Sequence, residues 1–369
     1  MILVKRNYAN YIGEFQTRCL LMTLDEDIYT YRILPWLSKS TILGYRFCQY
    51  LFDLRYNKGK DYGVSIKAET GTNMHVLYEQ FFNIIEYSIL EKFVLDYTDE
   101  IANTPVYKYF FKIMMELIPV DSRSFKPYRI MVNNFAMLEA DHWITLNREY
   151  KENRSTVLKY FIPLAREKYK ECPVLQIFGT IDRKALWGNG KDVIILYDYK
   201  TGHIPADVKK GKKSEDNFSW TIPTKKSFEL HFYLILEMCA AGYSIHPEIV
   251  EFCTNERWFY KEAEIPKVKN YFFNREGKAI KVRDLYRVGI IYTGGDQPYV
   301  PKKYPHKKSF KSVFEWINKI RTVIKNNGPF NKEPTYWKCR ECNDVVRDEC
   351  LNEQEKKMIF WGSDNEYNK

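Results

Sequence analysis

The sequence predicts an α/β domain, with strands gathered into one sheet and helices beside it. Two observations carry this. Residues 174–202 hold two apolar, β-branched runs on either side of a Gly188-Asn189-Gly190 turn, the pattern of a β-hairpin. Around that hairpin, apolar residues recur at helical spacing near 38–52, 71–98, 106–117, 227–238 and 310–324, while 247–260 and 285–292 read as further strands of the sheet.

The hairpin gathers charge. Asp198 and Lys200 are two apart on its second strand and share a face. Asp182 lies about as far before the turn as Asp198 lies after it. Burying these groups together is costly without compensation. A divalent cation held by Asp182 and Asp198 would supply it, and oxygen ligands select a hard ion such as magnesium or manganese. Such an ion lowers the pKa of a water and takes up charge on a phosphate oxygen, and Lys200 would orient that water or steady the developing charge.

Gly179-Thr180-Ile181-Asp182-Arg183 and Asp198-Tyr199-Lys200-Thr201-Gly202 resemble the two central motifs of the RecB-type PD-(D/E)XK nucleases. The resemblance implies a restriction-endonuclease-like core, a mixed central sheet flanked by helices, occupying residues 37–350. It leaves an N-terminal extension at 1–36, a helical insertion at about 99–170 and a polar tail at 351–369, which is expected to fray.

Taken in order, residues 1–36 carry no legible chemistry. Ser38 or Ser40 can cap a helix that runs on through Ile42, Tyr45, Leu51 and Phe52. The resemblance extends to this Ser-rich start, which leads to an aromatic residue and Cys48. A second helix opens at Gly71, and His75 matches the Gly-x-x-x-His element, whose histidine is a metal ligand in RecB-like enzymes. Imidazole suits manganese better than magnesium. Glu79, one turn on, reads as a bystander. Within the insertion, Val106–Leu117 is helical, 128–147 reads as a strand pair in which Glu139 is either a strand residue near the site or, the preferred reading, a solvated strand end, and 148–170 as a surface helix.

After the hairpin, residues 207–217 are polar, basic and aperiodic, a loop suited either to solvent or to phosphate contact. On the helix at 227–238, Tyr233 matches the Gln-x-x-x-Tyr element of the family, but Glu229 stands where the pattern has Gln. The two share a helical face. The departure adds a negative charge that would act on the metal or pair with lysine. His231 lies off that face and reads as structural.

Eight cysteines in a chain this long, without a signal-peptide core, argue for metal binding or plain burial over a disulfide scaffold. Cys339 and Cys342 form Cys-x-x-Cys, Cys350 follows, and three thiolates lack a fourth partner. The resemblance supplies one: AddB and the CRISPR-associated RecB-like nucleases, like the exonuclease V group, bind a four-iron (4Fe-4S) cluster through one distant and three C-terminal cysteines, here Cys48, Cys339, Cys342 and Cys350. Structural zinc and unliganded thiols are the competing readings. Cys19, Cys172, Cys239 and Cys253 are expected to be buried or incidental.

A net charge of +10 suits a polyanionic partner. No apolar run reaches the length of a membrane span, which points to the cytoplasm or wherever the DNA is held. No Gly-x-x-x-x-Gly-Lys-Ser/Thr loop is present, so the chain is not itself a helicase, although a helicase partner is compatible with the pattern. The expectation is a magnesium- or manganese-dependent deoxyribonuclease acting on single strands or ends. His75, Asp182, Asp198 and the Tyr199 main-chain carbonyl would hold the metal, Lys200 would assist and Glu229 and Tyr233 would line the site. The alternatives are a non-catalytic nucleic-acid-binding or assembly subunit on the same scaffold, and a nuclease of CRISPR adaptation.

Overall fold

The computed structural model describes residues 36–59, 66–93, 95, 100–187, 192–203, 224–260, 263–339, 342 and 344–360. The Gly188–Gly190 turn, the basic loop 207–217, the extension before Trp36 and the end of the tail lie outside them. From Trp36 onward the chain forms one compact unit.

The main sheet contains β1 (Leu37–Ser38), β2 (Ala165–Cys172), β3 (Ile177–Trp187), β4 (Val193–Lys200), β7 (Tyr286–Tyr292) and β8 (Lys302–Lys303). Its order is β1-β3-β4-β7-β8, with β2 on the other edge of β3. The β3–β4 hairpin is antiparallel and β4–β7 parallel, so the sheet is mixed. Strands β5 (Ser244–Ile245) and β6 (Phe272–Phe273) pair separately.

One face carries α6 (Thr224–Ala240), α7 (Pro247–Thr254) and α8 (Lys307–Lys325), whose apolar side chains pack with Ile181, Leu196, Val288 and Ile290. The other carries α2 (Ile66–Ile84), α3 (Pro105–Leu117), α4 (Lys126–Glu149) and α5 (Arg154–Phe161), packed on Ala185, Ile195, Tyr197 and Tyr199. The alternating apolar residues of β3, β4 and β7 thus feed two cores. The preceding α1 (Lys39–Phe47) starts where the sequence expects. Ser38 Oγ accepts from the Thr41 amide at 3.0 Å while Thr41 Oγ1 accepts from the Ser38 amide, a reciprocal cap.

Several expectations are corrected. Residues 128–147 are not a strand pair; they lie within α4. Pro127 opens that helix, and Met131, Val132, Phe135, Ala136, Glu139, Ala140 and Trp143 recur at spacings of one, three and four along its buried side. Residues 247–254 are helical because Pro247 stands at the first turn and Ile249, Phe252 and Cys253 share one buried stripe; the β-branched pair Ile249-Val250 misleads. The stretch 148–170 is α5 followed by most of β2. Its alternating charges belong to an edge strand whose outward side chains meet solvent. The helical stretch therefore ends at Phe161, before β2. In the tail, Glu353–Phe360 forms a further helix. Cys172 and Cys239 also differ from expectation: they form a disulfide that ties the end of β2 to α6.

Glu139 is fully buried on α4, not a solvated strand end. Both its oxygens meet the guanidinium of Arg183, one through Nη1 and one through Nη2 at 3.3 Å. The rings of Phe82 and Tyr197 flank that guanidinium at 5.0 and 5.7 Å. Burial alone would raise the Glu139 carboxyl, but Arg183 outweighs it and holds the group ionised. Removing one partner of such a pair strands the other charge, at about 3–5 kcal/mol. Glu139→Gln is expected to lower the free energy of unfolding in urea by about 3 kcal/mol. A loss below about 1 kcal/mol would show that the pair does not hold α4 to the sheet.

Candidate active site

Strand β3 forks. β2 covers one of its edges along 177–184. On the other edge it pairs with β1 at 177–178 and with β4 at 183–187. Residues 179–182 lie in the crotch, and Asp182 closes it. Its Oδ2 accepts the Tyr199 amide at 2.8 Å, so a side chain takes the next rung of the ladder.

The strands also change face here. Lys170 reaches Glu237 on α6 at 3.6 Å and Cys172 is bonded to Cys239 of the same helix. Arg166, which strict alternation would put on that face, instead donates to Asn83 of α2 at 2.9 Å. On β3, Ile177 and Ile181 belong to the α6 core, whereas Arg183 and Ala185 meet the opposite layer. The pairing stays one for one, Arg166 with Arg183 and Lys168 with Ile181, so both strands kink together. Glu167 absorbs the kink with φ of 42°, a left-handed conformation that costs a non-glycine residue about 1–3 kcal/mol. Such breaks re-aim side chains.

Here they aim Glu167 and Asp182 at His75. The His75 Nδ1 lies 3.1 Å from Glu167 Oε1 and 3.7 Å from Asp182 Oδ2. One donor atom from each of the three falls within 4.8 Å of the others. That span suits a hard divalent ion with ligands at about 2.1 Å. Glycine lets α2 come this close. A Cβ on Gly71 would lie 3.1 Å from Thr201 Oγ1, and one on Gly294 would lie 1.8 Å from the Thr201 carbonyl oxygen. Thr201 is thus pressed between the helix that bears His75 and the turn after β7.

Asp198 faces a different set. Its Oδ1 lies 3.3 Å from Lys39 Nζ and its Oδ2 2.5 Å from Lys200 Nζ, the latter contact lacking good hydrogen-bond alignment. Lys200 also donates to Glu229 Oε2 at 3.1 Å, and Lys226 to Glu229 Oε1 at 3.0 Å. Lys39 approaches Glu229 Oε2 at 3.7 Å and sits 4.5 Å above the Tyr233 ring. Burial pushes the Asp198 carboxyl up, but Lys200 and Lys39 prevail and hold it well below the usual range. Burial, then the Asp198 charge, pushes Asp182 up to about 7. The neighbouring carboxylates thus divide into one ionised and one poised near neutrality. Burial opposes a charged His75, yet Glu167 and Asp182 raise it above its ordinary value.

The structure therefore brings Asp182, Asp198, Lys200, Glu229, Tyr233 and His75 around one point. Tyr199 lends its amide there while its ring packs against His75 at 5.7 Å. Sequence reading missed Glu167, Lys39 and Lys226. Glu167 was legible only as part of the alternating run before the hairpin, and Lys39 only as a residue beside a helix cap. His231 is structural as expected. Its Nδ1–H donates to the Ser227 carbonyl at 2.6 Å and its Nε2 accepts the His306 amide at 2.9 Å, and burial pushes its pKa down to about 3.

Cys48, Cys339, Cys342 and Cys350 line one cavity with Leu51, Val346 and Leu351. Cys48 follows α1; the others come from α9 (Tyr336–Cys339) and α10 (Asp344–Cys350) and the segment between them. Burial, then the neighbouring thiols, pushes Cys342 and Cys350 up to about 11. A cationic centre in this cavity would reverse the balance that disfavours the Cys342 and Cys350 thiolates.

The model of a family described as the PD-(D/E)XK nuclease superfamily matches residues 36–345. No curated protein matches the chain.

The Asp182 shift has a definite sign. An acid raised from 3.8 to about 7 binds more protons folded than unfolded between those values. Stability of the metal-free protein is therefore expected to fall, on this account, as pH rises from about 4 to 7, by on the order of 3 kcal/mol. Urea unfolding of wild type and Asp182→Asn at pH 5 and 8 measures it. The variant is expected to gain relative to wild type at the higher pH; an equal difference at both pH values would contradict the shift.

Proposed function

Since the chain belongs to the PD-(D/E)XK nuclease superfamily, whose members are in general metal-dependent nucleases, we propose that it is a RecB-type deoxyribonuclease that hydrolyses phosphodiesters in single strands or at DNA ends. The observation that carries the reading is the meeting of His75, Glu167 and Asp182 donors beside the Asp198–Lys200 pair.

His75, Glu167, Asp182, Asp198 and the Tyr199 carbonyl are the proposed ligand groups for magnesium or manganese. The bound ion supplies Lewis acidity and an acidified water. Lys200, fixed by Asp198 and Glu229, orients the attacking water and steadies charge on the phosphoryl oxygen. Burial and the Asp198 charge raise the Asp182 carboxyl, and a cation held there would favour its ionised form. Tyr233 lines the pocket as a buried, neutral phenol. Surplus positive charge on the chain favours a polynucleotide backbone over a small ester.

The four-cysteine cavity is the proposed seat of a 4Fe-4S cluster. The chemistry of the donor set supports it: four thiols line one cavity. A cluster there would join Cys48 to residues almost three hundred positions away and close a very long loop.

Wild-type protein with manganese is expected to cleave an end-labelled single strand, and Asp182→Ala and Lys200→Ala to lose about a hundredfold to a thousandfold of that rate. Wild type as inert as either variant would favour a non-catalytic binding subunit. Anaerobically purified protein is expected to be brown and to carry about four irons with matching sulfide, lost in Cys350→Ser. Colourless protein with one zinc would replace the cluster with a structural metal.

A further inference from the structure

We propose that Lys39 is a positioning residue of the site, its charge matched to the Glu229 carboxylate that departs from the RecB-like pattern. The proposal rests on the metal-dependent reading above and goes beyond it. Lys39 comes from neither central motif. It is the first residue of α1, and two features fix its backbone: Ser38 pairs with Phe178 in the sheet, and the Ser38–Thr41 reciprocal cap locks the turn. From there its ammonium reaches Asp198 at 3.3 Å and Glu229 at 3.7 Å, above the Tyr233 ring.

Glu229 is buried, and a buried carboxylate needs opposite charge. Were Lys200 its only partner besides Lys226, Lys200 would be spent neutralising both Asp198 and Glu229. Lys39 shares both acids with Lys200. Lys200 is therefore not the sole counter-charge of either acid. Together with Lys226, the ammonium of Lys39 would offset the negative charge that Glu229 adds beside a bound metal.

The test is a manganese titration of wild type, Lys39→Met, Glu229→Gln and the double variant, read by calorimetry, beside single-strand cleavage. Removing the ammonium makes the site more negative. Lys39→Met is therefore expected to bind manganese about tenfold tighter and to cleave at least about tenfold more slowly. Glu229→Gln is expected to bind it about tenfold more weakly. The double variant should return to wild-type affinity and recover part of the lost rate. Lys39→Arg, which keeps the charge, should bind as wild type does. A merely structural lysine would weaken metal binding and cleavage together. That outcome, or an unchanged manganese affinity in Lys39→Met, overturns the proposal. If wild type does not cleave, the nuclease reading fails while the titration still decides the role of Lys39.

Discussion

Four carboxylates gathered at one place, three of them buried and Glu167 half-buried, are the constraint to which the rest of the molecule answers. Glu167, Asp182, Asp198 and Glu229 converge from two faces of a kinked sheet. Their repulsion is offset by Lys39, Lys200, Lys226 and His75, each from a different element or strand position. The fork of β3 gives Asp182 room, the kink aims Glu167, and the close approach of α2 delivers His75. None of these local departures from regular structure is favourable by itself. They persist because the apolar layers on either side over-determine the backbone.

The contrast with the other buried charges is instructive. Glu139 and Arg183 make a two-pronged pair, both carboxylate oxygens met by one guanidinium. It holds a helix to a strand. The site is different: its charges are shared unevenly, Asp198 Oδ2 lacks a well-aligned donor, and one acid sits near neutrality. A buried carboxylate met on both oxygens by one guanidinium builds the fold, and buried carboxylates that share several cations can bind and react.

What could be seen in the sequence follows the same division. The hairpin was legible because strand alternation and a Gly-Asn-Gly turn are local signals, and Asp182, Asp198 and Lys200 came with it. Helix α8 was legible from its periodicity and its Asn326-Asn327-Gly328-Pro329 stop. Helix α4 was not, because Ile130 and Val132, two apart, imitate strand alternation until α3 packs against the helix. Glu167 was hidden for another reason. A solvated helix and an edge strand both alternate charge, and only the pairing with β3 tells them apart. Lys39 and Lys226 were hidden because nothing local distinguishes a lysine that turns inward from one that faces solvent. The disulfide between Cys172 and Cys239 joins residues 67 positions apart, a proximity no spacing rule reveals.

The contact between Gly294 and the Thr201 carbonyl reaches further than its size suggests. There is no volume for even one methyl group, and Thr201 directly follows Lys200. In a saturation screen for lost activity, position 294 would score beside the charged residues themselves although it contributes no functional group. A designer grafting this pocket onto another scaffold would have to carry over that bare backbone crossing along with the lysine it holds in place.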